Sequence, residues 1–153
     1  AESIEERNKL WKARHDVYYS VKALGQNMKV YSTDICVPVS KLVECISWAE
    51  KEVKDKGLIA PMVGHVGDGN FHSIILYDPN DKEKQKLIRE YSDRLIDKAL
   101  ELEGTITGEH GIGLQKKHYL LKEHFDNLPV MKSIKRSLDP NNIMNPGKVF
   151  DLN

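Results

Sequence analysis

The residues best placed to do chemistry in this chain are histidines framed by glycines. Gly64-His65-Val66-Gly67-Asp68-Gly69-Asn70-Phe71-His72 and Thr107-Gly108-Glu109-His110-Gly111-Ile112-Gly113 set His65, His72, Glu109 and His110 where a chain positions side chains rather than packs them. The first segment reads as strand, tight turn and strand, with Asp68-Gly69 as a two-residue loop. That register pairs Gly67 with Asn70, Val66 with Phe71, and His65 with His72. Side chains alternate along a strand, so Val66 and Phe71 share one face and the two histidines the other. Directly opposed Cβ atoms stand ~5 Å apart, a spacing that suits two imidazoles on one metal ion. A carboxylate from Glu109 would complete a two-histidine, one-carboxylate site with open positions, suited to Zn, Mn, Fe or Co. His110 adjoins Glu109 and cannot be an ordinary ligand on the same extended face. A division of labour follows, with Glu109 binding metal and His110 handling protons, since imidazole titrates near neutral pH. Blander roles compete: half-buried strand histidines, Glu109 as the cap of a helix after Gly111, and Asp68 as a turn former.

The elements that must position these groups follow from periodicity. Ser3 to Leu24 is patterned as a helix, with Ile4, Trp11, Tyr18 and Val21 near one face and Glu2, Glu5 and Glu6 at its N-terminus. Gly25-Gln26-Asn27 breaks it, and Lys29 to Val37 reads as a strand ended by Pro38. Ser40 then caps a helix carrying Leu42, Ile46, Ala49 and Val53, which Gly57 stops. Leu58 to Val66 and Asn70 to Tyr77 form the hairpin. Asp78-Pro79-Asn80-Asp81 turns into a helix built on Leu87, Ile88, Tyr91, Leu95, Ala99 and Leu102, and Thr105-Ile106-Thr107 is a last short strand.

The order over 29–107 is β-α-β-β-α-β. This is an α+β, ferredoxin-like split β-α-β sheet with both helices on one face, flanked by N-terminal and C-terminal helices. The helices should cover the face of Val66 and Phe71 and leave the histidine face free to meet another domain or partner. Residues 108–153 make a C-terminal segment, with helical patterns at Leu114–Lys122 and Leu128–Leu138 and a turn-rich tail.

Bulk properties narrow the function classes. The 153 residues suit one domain with a real core, and 23 basic residues balance 23 acidic ones, which argues against nucleic-acid or membrane-surface binding through bulk charge. No apolar run approaches the ~20 residues of a membrane span. Cys36 and Cys45 lie in apolar-patterned segments and read as buried thiols. The chain opens at Ala1 directly in a helical pattern, as expected of a piece of a longer polypeptide. Arg14 is either a solvated helix charge or a guanidinium fork for a substrate carboxylate. His15, His118 and His124 sit in charged helical surroundings and should face solvent. The glycines of 108–113 are no phosphate loop, because neither Gly-Lys-Ser/Thr nor a Gly-x-Gly-x-x-Gly after a strand is present.

Five segments, LWKARHD (10–16), YSTDICVP (31–38), GHVGDGNFH (64–72), TGEHGIG (107–113) and DPNNIMNPGKV (139–149), together resemble the C-terminal part of FAD-linked D-2-hydroxy-acid dehydrogenases. The likeness is strongest to the mitochondrial-type D-lactate dehydrogenases. It implies FAD and a divalent metal as cofactors, and oxidation of a small 2-hydroxy acid such as D-lactate to the 2-oxo acid. It further implies an electron acceptor such as cytochrome c or another carrier, and a mitochondrial location. Residue by residue, His65, His72 and Glu109 match metal ligands, His110 the catalytic base, Arg14 the holder of the substrate carboxylate, and Asn70 a substrate-binding position near the flavin. Asn145 and Lys148 fall in the closing Asn-Pro-Gly-Lys, which folds back toward the FAD domain, and are carried over as cofactor-binding. Tyr31-Ser32-Thr33-Asp34 lacks the lysine that hydroxyglutarate-type members carry, which favours a monocarboxylate. The FAD-binding domain and the first part of the cap domain have no counterpart here. Residues 1–153 thus correspond to a C-terminal cap/substrate domain, inactive alone and able to self-associate through its uncovered face. Two other classes remain: an autonomous metal-dependent hydrolase, which would turn over without flavin, and a non-catalytic ferredoxin-like interaction domain, which would bind no stoichiometric metal.

Overall fold

A computed structural model describes residues 1–25 and 27–152. Gln26, inside the expected Gly25-Gln26-Asn27 break, lies outside the described residues. The chain builds α1 (Ile4–Ala23), β1 (Lys29–Ser32), β2 (Ile35–Cys36), α2 (Leu42–Asp55), β3 (Met62–His65), β4 (Asn70–Tyr77), α3 (Lys82–Glu101), α4 (Lys117–His124) and α5 (Leu128–Leu138). Local chemistry sets several ends. The Ser3 hydroxyl accepts from the Glu6 N–H and the Asp81 carboxylate from the Lys84 N–H, each satisfying a donor the first helical turn leaves open. Ser40 does not cap α2; it lies in a short 3-10 turn, Val39–Lys41, that leads into the helix.

β4 is the central strand. β1 and β2 run antiparallel along one of its edges in a single register, Lys29 opposite Tyr77 through Ser32 opposite Ile74, then Ile35 opposite Phe71. β3 takes the other edge, and Thr105 bridges antiparallel to Cys36 outside β2. This is the α+β, split β-α-β order expected from the pattern. The expected single strand over 29–37 is interrupted only at Thr33–Asp34.

Helices α2 and α3 cover one face of the sheet, as expected, but the opposite face is not free: the N-terminal helix α1 covers part of it. Phe71 and Ile75 of β4 point into the main core with Ile35, Cys45, Ala49, Tyr91, Leu95 and Ala99. Ile74 and Leu76 point the other way and meet Val17 and Val21 of α1. Within α1 only Val21 is buried; Ile4, Trp11 and Tyr18, expected on the packing face, are exposed. Cys45 is buried as expected, whereas Cys36 is only partly so.

The hairpin register also differs. His65 pairs with Asn70 and Val63 with His72, because the loop is a 3-10 turn over Val66–Asp68 closed by Gly69 rather than a two-residue turn. The slip is two residues, so the period-2 alternation keeps His65 and His72 on one face but places them diagonally. Val66 leaves the strand and is exposed. Gly69 is required twice over: its φ is +78°, and a Cβ there would stand 1.9 Å from the Val37 carbonyl oxygen. Gly69→Ala should therefore cost about 2–5 kcal/mol. Gly67→Ala, whose Cβ would meet nothing within 4 Å, should stay within about 0.5 kcal/mol. Urea unfolding of the two variants checks the contrast.

Candidate functional site

The interruption of the first strand creates the site. At Thr33 the N–H still donates to the Ser73 carbonyl at 3.1 Å, but the Ser73 N–H donates to the Thr33 hydroxyl at 2.9 Å instead of to its carbonyl. The freed Thr33 carbonyl accepts from His72 Nδ1 at 2.9 Å. This contact places the ring hydrogen on Nδ1 and leaves the Nε2 lone pair outward. Nε2 stands 2.9 Å from Glu109 Oε1, and Glu109 Oε2 stands 3.5 Å from His65 Nε2. In the neutral ring, Nε2 and the carboxylate oxygen are two acceptors in contact, an arrangement that fits a cation between them, whether a metal ion or a second ring proton. The donor set of His65, His72 and Glu109 therefore suits the divalent metal the sequence implies.

Asp34 is the residue that sequence reasoning passed over. Its side chain is 2% exposed, and Oδ2 accepts from the Thr107 hydroxyl at 2.7 Å, His110 N–H at 3.0 Å, Gly108 N–H at 3.1 Å and Lys116 Nζ at 3.4 Å. Oδ1 accepts from Asn70 Nδ2 at 2.9 Å and Glu109 N–H at 3.3 Å. Burial alone would raise the Asp34 carboxyl. The bonds from Thr107, His110 N–H and Asn70, with the Lys116 charge, override it and hold the group well below the usual carboxylate range. Among the described residues Asp34, His72 and His110 bring possible ligand atoms within 4.8 Å of one another. Both Asp34 oxygens are already engaged by these donors. Lys116 also donates to the carbonyls of Asp34 at 2.7 Å and Ile106 at 2.8 Å. Burial pulls its ammonium below the ordinary lysine value, against the attraction of Asp34.

Five of the expected site residues, Arg14, His65, His72, Glu109 and His110, line one cavity of about 580 Å³. Arg14 reaches in from α1, its Nη2 3.1 Å from His65 Nε2. The His110 ring meets His72 edge-on at 5.4 Å, and its Nε2 is 3.7 Å from Glu109 Oε1. Glu109 caps no helix, since α4 begins only at Lys117. His15, Tyr18 and Ser32 also line the cavity and were not anticipated; His15 is exposed to it rather than to bulk solvent alone.

Asn70 is not on the wall. It is 4% exposed and donates to Asp34 and, at 2.8 Å, to the Ile35 carbonyl, so the structure places it behind the site rather than against a substrate. Lys148 lines a second cavity of about 540 Å³ with His110 and the Gly111–Gly113 turn. Asn145 does not line that cavity; its side chain accepts from Lys148 Nζ at 3.4 Å. The tail is held there by the Val149 N–H on the Gly113 carbonyl, 2.8 Å.

Residues 1–149 match the family model for FAD linked oxidases, C-terminal domain. The chain belongs to that family. A Danio rerio relative named "Probable D-lactate dehydrogenase, mitochondrial" is 49% identical over 99% of this chain and 31% of its own length. An Arabidopsis thaliana relative named D-lactate dehydrogenase [cytochrome], mitochondrial, is 41% identical over 98% of this chain and 27% of its own. The chain thus spans about a third or less of the curated relatives it matches. In the solved structure of 4-ethylphenol oxidase from Gulosibacter chungangensis, 31% of that chain superposes on 98% of this one with a TM-score of 0.64 at 19% identity, a likeness of fold. Among the described residues no helix is long and apolar enough to cross a membrane.

Lys116→Met should destabilise the protein by about 2 kcal/mol. That is below the 3–5 kcal/mol typical of a fully buried pair, because the Lys116 side chain is 17% exposed. Denaturant titration checks it, and an unchanged midpoint would remove Lys116 from the support of the site.

Proposed function

We propose that this chain is the cap/substrate domain of an FAD-dependent D-2-hydroxy-acid dehydrogenase acting on a small monocarboxylate such as D-lactate. In this reading residues 29–107 are the ferredoxin-like core and 108–153 the closing segment. The observation that carries it is the convergence of a guanidinium, four imidazoles (His15, His65, His72 and His110) and a carboxylate on one cavity, in a chain whose relatives bear D-lactate dehydrogenase names. Those names also support a mitochondrial location, and a cytochrome as electron acceptor.

Arg14 binds and orients the substrate carboxylate through its fork of N–H donors. His110, exposed at the rim shared by both cavities, takes the proton of the 2-hydroxyl at Nε2. Val17, Val63 and Ile74 line the cavity and offer an apolar wall to the rest of the substrate. His65, His72 and Glu109 would hold a divalent cation that supplies Lewis acidity, while FAD supplies the two-electron acceptor. Lys148, which lines the second cavity with His110, and Asn145, which accepts from Lys148, are the groups we assign toward the flavin.

Elemental analysis should find about one transition metal per chain, lost in His65→Ala. In the enzyme at its full length, His110→Ala should lower kcat about 10²–10⁴-fold. Arg14→Ala should lower kcat/KM about 10–100-fold, the loss expected of one charged hydrogen-bond partner. Turnover of D-lactate unchanged in both variants would overturn the proposal.

A further inference from the structure

We infer that Asp34 is the positioning residue for Glu109 and His110: one buried carboxylate collects three successive backbone N–H groups and thereby fixes where both side chains stand. The inference rests on the roles given above to Glu109 and His110. The distances to the N–H groups of Gly108, Glu109 and His110 are 3.1, 3.3 and 3.0 Å. Successive N–H groups converging on one anion form a backbone nest, and here the anion is a side chain of the protein itself.

The segment between the Cys36–Thr105 bridge and α4 has no regular secondary structure to hold it. Its two functional side chains are open to the cavity, with Glu109 45% and His110 64% exposed. Asp34, at 2% exposure, is the anchor on the protein side. The fit is tight: a Cβ at Gly108 would stand 1.9 Å from Asn70 Nδ2 and 2.9 Å from Asp34 Oδ1. Gly108 is therefore required by the approach of the loop to the carboxylate. The Thr107 hydroxyl closes the turn, donating to Asp34 and accepting from the Gly111 N–H at 2.9 Å. The neighbouring Thr33 carbonyl orients His72 on the same stroke. One dipeptide, Thr33–Asp34, thus aligns groups from both halves of the site. Removing a second partner of this kind from behind metal ligands typically costs 10–100-fold in metal affinity or activity.

Asp34→Asn keeps the shape but turns an N–H₂ toward donors, so it tests position without opening a cavity. Hydrogen exchange followed by mass spectrometry on the protein at its full length should show residues 108–110 protected in the wild type. Exchange there should be at least about tenfold faster in the variant. The affinity for Co²⁺, used as a spectroscopic probe, should fall about 10–100-fold. With D-lactate as substrate, kcat should fall by a similar factor while KM, set by Arg14, changes less than about threefold. Thr107→Val should shift all readouts the same way more weakly, with Thr107→Ser restoring them, and this pair decides the matter if Asp34→Asn does not fold. Unprotected amides at 108–110 in the wild type would overturn the inference. So would a variant with lowered thermal stability but unchanged exchange, Co²⁺ affinity and kcat, since that is the mark of a merely structural role. Should the wild type bind no Co²⁺ and oxidise no hydroxy acid, the functional reading fails, and the exchange data alone decide whether Asp34 orders the loop.

Discussion

A charge buried at the break between β1 and β2 is the constraint on which the site depends. Taking the Asp34 carboxylate out of water costs several kcal/mol. It is tolerated because Lys116, the Thr107 hydroxyl, the Asn70 amide and three backbone N–H groups all point at it. Charge-assisted hydrogen bonds contribute about 1.5–3 kcal/mol each, so several are needed to offset the burial. Apart from Asn70, at the start of β4, these donors come from the irregular segment that precedes α4. The ladder is opened at Thr33–Asp34 to let them in, and the Thr33 hydroxyl replaces the carbonyl it gives to His72, so no donor of Ser73 is stranded. The opening inserts no residue, and the same register resumes at Ile35.

The second face of the sheet explains why the cavity stands where it does. Along β4 the even positions run His72, Ile74, Leu76. The apolar part of that row is covered by Val17 and Val21, each worth about 1.5–3 kcal/mol when fully buried. His72 lies beyond the cover, and α1 passes over it with Arg14, His15 and Tyr18 instead of aliphatic groups. One helix therefore does two jobs along its length: its C-terminal turns pack, and its middle brings a guanidinium to the imidazoles.

Much of this was legible in the sequence, for reasons that differ by element. The split β-α-β order and the helix over 128–138 came from periodicity and breakers, which depend on local pattern alone. The pairing of His65 and His72 on one face survived a wrong turn type, because a slip of two residues conserves parity whereas a slip of one would have separated them. The packing face of α1 was not legible: Ile4, Trp11 and Tyr18 make as good a stripe as Val17 and Val21, and only the position of the sheet decides between them. Asn70 was assigned near the substrate and flavin only through the family resemblance; in the fold it is 4% exposed and donates to Asp34.

Asp34 itself left a signal that pattern rules discount. An aspartate inside a run such as Tyr31-Ser32-Thr33-Asp34-Ile35-Cys36 contradicts strand propensity and apolar alternation at once. Such a contradiction has a physical meaning when the next segment in contact is rich in glycine, since only backbone free of side chains can bring several N–H groups to one carboxylate. Thr107-Gly108-Glu109-His110-Gly111 is that segment: Gly108 clears the approach, Gly111 turns away at φ +75°, and the residues between them carry the reactive side chains outward. The same backbone stretch thus faces the protein through its N–H groups and the cavity through Glu109 and His110. A loop without regular secondary structure can in this way hold two functional side chains, because the groups that fix it are not the groups that react.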